Sequence, residues 1–218
     1  MKLYYYLLNL LFPPKCPFCE RVLDDPRAPL CEKCQYALPW LDQKDAFRKV
    51  EFTSGCYSVL EYRDAVRKAI HHYKFTPIRA RGGPLGQLMA QCVLDHPEIT
   101  PEVITWAPLS RKRLRERGFD QAEELARSAG RILEIPVIPL LVKSRDTGRQ
   151  SDLIRAEQRR ANVQGAYEPY PDAEIRGRRV LLVDDVVTSG ATLSACAKVL
   201  VGAGAEKVWC VTLAQAGN

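Results

Sequence analysis

The sequence contains no internal repeat and no low-complexity linker, which excludes a stacked array or a tail-like chain and leaves an ordinary globular protein. It also lacks the G-x-x-x-x-G-K-[ST] phosphate loop: Gly190 is followed by no such lysine. Gly202-Ala203-Gly204 lies after a predicted helix and before a strand, so it is a helix stop rather than a dinucleotide fingerprint. Aromatic residues make up only 8% of the chain and form no stacking array, which weighs against a surface built for single-stranded nucleic acid. Histidine is scarce, and His71 and His72, adjacent on a predicted helix, are assigned no catalytic role. The apolar run Leu3 to Phe12 is too short to span a bilayer. It meets Pro13-Pro14 and then cysteines instead of a small-residue cleavage site, so it is expected to be an N-terminal helix packing on its own protein. The alternative is interfacial membrane contact through Tyr4, Tyr5 and Tyr6. The expected location is cytoplasmic, with no transmembrane segment.

What is present is a 218-residue chain of net charge +6, long enough for one domain plus an appendage and basic enough to suit phosphates or nucleic acid. Four of its eight cysteines, Cys16, Cys19, Cys31 and Cys34, form C-x2-C-x11-C-x2-C. Two such knuckles supply the four thiolates that tetrahedral Zn²⁺ prefers and leave no open position, so the ion would be a folding staple. Two disulfides are the rival account and would need an oxidising compartment. Lys15, Arg21, Arg27 and Lys33 are placed to face a partner. Cys56, Cys92, Cys196 and Cys210 sit in apolar stretches, as core thiols do. The expected division is a four-cysteine module over 1–40 and a larger domain over 41–218.

Beyond Gly55, periodicity predicts alternating elements: a strand over Cys56–Tyr62, helix Asp64–Tyr73, a break at Gly82-Gly83-Pro84, and helix Leu85–Leu94. Strand Val103–Ala107, helix Gln121–Leu133, a strand near Val137–Val142 and a polar stretch to Gln164 follow. Strand Val180–Val183, helix Ala191–Val201 and strand Val208–Leu213 complete the order. Such alternation predicts an α/β fold, a parallel sheet flanked by helices, with ligands at the carboxyl ends of strands in the loops after Ala107, Val142 and Val183.

The loop after Val183 is the most informative. Val180 to Val183 is a continuous apolar run, as in a strand buried on both faces, and Asp184-Asp185 follows at once. Two adjacent carboxylates at the mouth of a core call for a hydroxyl-rich ligand or a cation. Thr188-Ser189-Gly190-Ala191-Thr192 then opens a helix, where exposed amides and the helix dipole suit a phosphate. Together the parts match a ribose 5-phosphate; the bland alternative is an acid pair that merely caps a turn.

Here the sequence resembles the type I phosphoribosyltransferases, whose signature is an apolar strand, an acid pair and a Thr/Ser-Gly-x-Thr turn. The resemblance implies that Asp184 and Asp185 bind the ribose 2′ and 3′ hydroxyls of phosphoribosyl pyrophosphate (PRPP). It assigns the segment Val186, Val187, Thr188, Ser189, Gly190, Ala191 and Thr192 to the same ligand, with the 5′-phosphate on the turn, and implies Mg²⁺ with PRPP. The cysteine knob, Arg117-Gly118-Phe119-Asp120-Gln121, Thr147-x-x-Gln150, Arg159-x-x-Asn162 and the PRPP loop, in that order, resemble the ComF family, from Leu10 to Gln215. That family usually has Asn where this chain has Asp120. By position, Leu109 to Arg113 resembles a pyrophosphate loop, with Ser110, Arg111 and Lys112 beside Arg117 and Gln121. Residues 144–164, carrying Thr147, Gln150, Arg159 and Asn162, resemble a loop that closes over PRPP. The resemblance implies a DNA-uptake setting, with a machinery protein on the zinc module. The pocket is expected to serve a pentosyl transferase with unspecified acceptor; the alternatives are a non-catalytic PRPP or nucleotide sensor and a single-stranded DNA accessory.

Overall fold

The computed structural model describes residues 12–75, 82–145 and 165–217. Its centre is a five-stranded sheet ordered β1-β2-β7-β6-β3, built from Phe47–Arg48 (β1), Cys56–Glu61 (β2), Val103–Trp106 (β3), Arg179–Val187 (β6) and Lys207–Gln215 (β7). The four strands β2, β7, β6 and β3 are parallel, as expected, while the short edge strand β1 runs antiparallel to β2. The helices are α1 (Glu32–Ala37), α2 (Asp64–Phe75), α3 (Gly82–Leu94), α4 (Arg111–Arg117), α5 (Gln121–Leu133) and α6 (Ala191–Gly202). None of the described helices is long and apolar enough to cross a membrane.

Alternation along β6 builds two cores. Leu181 and Val183 face a cluster with Leu85 and Met89 of α3 and Leu125 of α5. Val180 and Leu182 face the other side, against Leu193, Cys196 and Leu200 of α6. Helices therefore cover both faces, the arrangement that a strand apolar on both sides requires. On the first face α3 and α5 approach closely at Gly86, where a Cβ would stand 2.4 Å from Ser128 Cβ and 2.8 Å from the Leu125 carbonyl oxygen.

Four expectations are corrected. Gly82-Gly83-Pro84 does not break the chain but forms the first turn of α3, where proline's missing N–H has no intrahelical partner to lose. The strand expected near Val137–Val142 is divided. Val137 makes one parallel bridge to Ile104, and β4 (Leu141–Lys143) pairs antiparallel with β5 (Tyr167–Pro169), a strand too short for its pattern to be visible. The basic segment after Ser110 is a helix, not a loop, because Ser110 Oγ caps the Arg113 amide and Gly118 ends α4 in the left-handed conformation. Finally, β6 runs past Val183 to Val187, so the acid pair belongs to the strand, Asp184 lying opposite Thr212.

The four-cysteine module packs on the first core, its Phe18, Leu23, Leu30 and Leu38 joining one buried cluster with Tyr57, Ile70 and Tyr73. The segment after it stays with the sheet: Leu41 N–H donates to the Val59 carbonyl (3.1 Å) and Glu61 N–H to that of Pro39 (2.9 Å). His72 of α2 also reaches Glu20 of the first knuckle, 2.9 Å away. Cys56, Cys92, Cys196 and Cys210 are buried thiols. Burial raises the pKa of Cys196 and Cys210 and pushes that of Cys92 up to about 12, which makes them poor nucleophiles. Trp106 and Trp209 are core residues, whereas Trp40 is exposed and donates its indole N–H to the Gln35 carbonyl.

Candidate functional site

At the carboxyl end of the sheet, the chain leaves β6 at Val187, crosses Thr188-Ser189 and turns into α6 at Gly190. Gly190 has φ +73° and ends its turn as the N-cap of α6, with no side chain capping the helix. A side chain there would be strained and would press on Val50, 3.3 Å from a Cβ. Because Gly190 offers no capping side chain, the start of α6 presents the kind of amide-rich turn that suits an anion. From the other side Arg48 of β1 holds the loop, donating Nη1 to the Thr188 carbonyl and Nη2 to that of Ala216 (2.6 Å).

This loop forms one wall of a cavity of about 470 Å³. Asp184, Asp185 and the whole run from Val186 to Thr192 line it, and Ala107, Pro108 and Leu109 after β3 stand opposite. Arg67 and Lys74 of α2, Arg113 and Arg117 of α4, and Lys143 of β4 bring five cations to its rim; Tyr62 and Tyr167 supply the aromatic surface. The acid pair is held tightly. Asp185 N–H donates to Asp184 Oδ1 (2.8 Å), and Lys74 Nζ lies 2.9 Å from Asp185 Oδ1. Burial first, and then the neighbouring Asp185 charge, push the Asp184 carboxyl up to about 8, against the pull of Lys74. In the empty site burial thus disfavours the Asp184 charge while Lys74 balances that of Asp185, and a ligand that brings hydroxyl donors or a cation would take over that balance.

Asp120 has a different task. One oxygen accepts from the Leu109 amide (2.8 Å) and the other from Ala122 (3.0 Å) and Glu123 (3.4 Å), so a single carboxylate caps α5 and pins the loop after β3. Its burial pushes its pKa up to about 6. Asparagine has one side-chain acceptor oxygen and an amide donor, and would keep the helix cap while facing Leu109 N–H with its own N–H.

The remaining expected residues divide. Arg117 lines the cavity, with its guanidinium 5.5 Å over the Phe75 ring; Nη1 donates to Gln121 Oε1 (2.6 Å), so Gln121 lies buried behind it as a support. Burial lowers the Arg117 pKa against the opposing charges of Asp185, Asp120 and Asp184. Ser110, Arg111 and Lys112 instead border a neighbouring cavity of about 520 Å³. The helix accounts for this, since Arg113 and Arg117 share one face and Arg111 and Lys112 point elsewhere. Lys143 lies between the two cavities and contributes to both. Thr147, Gln150, Arg159 and Asn162 lie outside the described residues. Lys74, Arg67 and Lys143 are additions: Lys143 stands at one of the strand ends flagged for search, whereas nothing local distinguishes Lys74 from an ordinary helix-end lysine.

In the N-terminal module the Sγ atoms of Cys16, Cys19, Cys31 and Cys34 all lie within 4.8 Å of one another. That spacing suits four thiolates around a single ion at about 2.3 Å. All eight cysteines are free thiols, so the disulfide account finds no support. Lys15, Arg21, Arg27 and Lys33 are exposed around this cluster.

Comparison with known proteins agrees with both halves. Residues 116–218 match the model of the phosphoribosyl transferase domain, and residues 7–45 that of the double zinc ribbon domain. The DNA utilization protein YhgH of Escherichia coli K12 is 28% identical over 204 residues, covering 90% of this chain and 82% of its own. Competence protein F of Haemophilus influenzae is 29% identical over 209 residues, covering 92% and 90%. Competence protein ComFC of Bacillus subtilis is 26% identical over 150 residues, covering 67% and 58%. Among solved structures, the glutamine PRPP amidotransferase of B. subtilis superposes with a TM-score of 0.45 at 22% identity, over 65% of this chain and 30% of that one.

Proposed function

We propose that this chain, a homologue of the YhgH DNA-utilisation proteins and competence protein F, binds PRPP in the Asp184–Thr192 cavity and serves DNA uptake or utilisation. The observation that carries the reading is the juxtaposition, in one cavity, of an acid pair on β6, a glycine-led helix start at Gly190 and a rim of cations. In this reading Asp184 and Asp185 accept from the ribose 2′ and 3′ hydroxyls. The Thr188–Thr192 turn holds the 5′-phosphate, and Arg113, Arg117 and Lys143 face the pyrophosphate. Ser110, Arg111 and Lys112 flank its exit, and Thr147, Gln150, Arg159 and Asn162 belong to the closing loop. Carboxylate oxygens suit Mg²⁺, which would neutralise the diphosphate charge when bound with it. If transfer occurs, the bond from the ribose C1 to the pyrophosphate oxygen breaks, a bond from C1 to the acceptor's nucleophilic atom forms, and the acceptor's proton leaves to solvent. The cations then hold the leaving group while the carboxylates balance the oxocarbenium-like sugar.

A sensor reading has its own support, because among the described residues the aromatic lining of the cavity is Tyr62 and Tyr167, and Tyr167 is buried under the Lys143 ammonium. Little surface is left for stacking an acceptor base. The proposal also places the protein in the cytoplasm, where free thiols persist, with the zinc module as a docking site for an uptake-machinery protein. The exposed Arg111, Lys112 and Arg115 face is the place where a single DNA strand would lie.

Titrating PRPP with Mg²⁺ in a calorimeter is expected to give saturable binding and to raise the melting temperature, by about 2.7 kcal/mol of stability at a hundredfold excess over Kd. No heat and no shift would overturn the proposal. Pyrophosphate release across a panel of nucleobases and amines then assigns transfer, and silence with every acceptor assigns the sensor.

A further inference from the structure

Lys74 is the one cation whose ion pair with the acid pair is resolved among the described residues. It sits in the last turn of α2, beside Tyr73, which is 1% exposed and donates its hydroxyl to the Gln121 carbonyl, so the backbone that carries Lys74 is fixed. Its side chain is 23% exposed and that of Asp185 12%, so the pair is shielded but borders the cavity. The other rim cations have different ties. Arg117 is engaged by Gln121 and Phe75, and the Lys143 ammonium lies 5.0 Å over the Tyr167 ring. Two carboxylates on consecutive strand residues cannot both stay ionised at low cost without a counter-charge. An ammonium on a four-carbon stem provides one that can also swing away, which a forked guanidinium does less readily.

We propose that Lys74 is a displaceable internal counter-ion: it occupies the acid pair in the empty site, keeps a free divalent cation out, and yields its place when a ligand arrives. This rests on the reading of Asp184 and Asp185 as the sugar-hydroxyl site and adds to it how that site is kept closed to metal alone. Release of Lys74 points its charge toward the rim occupied by Arg113 and Arg117, where a diphosphate would lie.

The probe is Mn²⁺ alone, titrated by electron paramagnetic resonance into zinc-loaded protein without PRPP. Wild type is expected to bind Mn²⁺ weakly, Lys74→Met at least tenfold more tightly, and Lys74→Arg no more tightly than wild type. Adding Asp185→Asn to Lys74→Met is expected to abolish the gain, which places the ion at the acid pair. Lys74→Gln serves as a second charge-removing variant should the Met variant lose its cooperative melting. Mn²⁺ affinity within twofold of wild type in a folded charge-removing variant overturns the proposal. Because no PRPP is present, failure of PRPP binding and failure of the counter-ion are read separately.

Discussion

Replacing Asp184 by asparagine is expected to stabilise the empty protein at pH 8 while removing its affinity for PRPP. The two effects have one cause. A carboxyl whose folded pKa is raised from the ordinary value to about 8 holds a proton in the native state that the unfolded chain has already released. Across that window stability falls as pH rises, from about pH 4 to about pH 8, and above it the native state bears the whole cost of the buried charge. Asparagine carries no such charge, so the variant is expected to melt several degrees above wild type at pH 8. The slope that remains in the variant is expected to lie below about pH 6, where Asp120 titrates with the same sign. Ligand binding moves the other way: asparagine offers the ribose one acceptor where the carboxylate offers two, and PRPP affinity is expected to fall at least a hundredfold. Melting curves from pH 4.5 to 8.5 and calorimetric titration check both. A variant that melts lower than wild type at pH 8, or that binds PRPP normally, contradicts this account of the acid pair.

The second large effect is at the other end of the chain. Cys31→Ser is expected to abolish zinc binding and lower stability by more than about 4 kcal/mol, because a closed four-thiolate site contributes its binding energy to folding. Cys31 is 8% exposed and its Sγ lies 3.5 Å from that of Cys19, so the hydroxyl would replace a buried ligand at the centre of the cluster. The damage is expected to spread beyond the knuckles, since Phe18, Leu23, Leu30 and Leu38 share a buried cluster with Ile70 and Tyr73 of α2. Metal analysis of the purified protein, with about one zinc per wild-type chain, and urea unfolding of both proteins measure it. A metal-free variant with the wild-type midpoint contradicts the staple.

How much of this was legible in the residues varies with the range of the interaction. The apolar run Val180 to Val183 placed a strand buried on both faces, and the structure puts it between β7 and β3. Helix α5 was bounded at both ends by its own pattern, Gln121 to Leu133. Its cap, Asp120, was visible only as a departure from a family motif, because the contact that explains it, to Leu109, crosses from one loop to another. Helix α4 carries a serine N-cap and a glycine stop in its sequence, but a run so dense in positive charge fits a phosphate-facing loop as well as a capped helix. Helical periodicity divides the residues expected on the pyrophosphate side, so that Arg117, with Arg113, lines the cavity while Arg111 and Lys112 border its neighbour. The four cysteines were legible because a metal imposes spacing on sequence itself. Lys74 was not, since its significance arises only when α2 is laid beside the end of β6.

In the proposed function a ribose phosphate is held by the turn between β6 and α6. Amide nuclear magnetic resonance during titration with PRPP and Mg²⁺ tests it at the atoms concerned. The largest shifts are expected at Ser189, Gly190, Ala191 and Thr192, with smaller ones at Asp184 and Asp185, and none at the cysteine module. Saturating shifts that leave the Ser189–Thr192 amides unmoved, or no shifts at all, would contradict it.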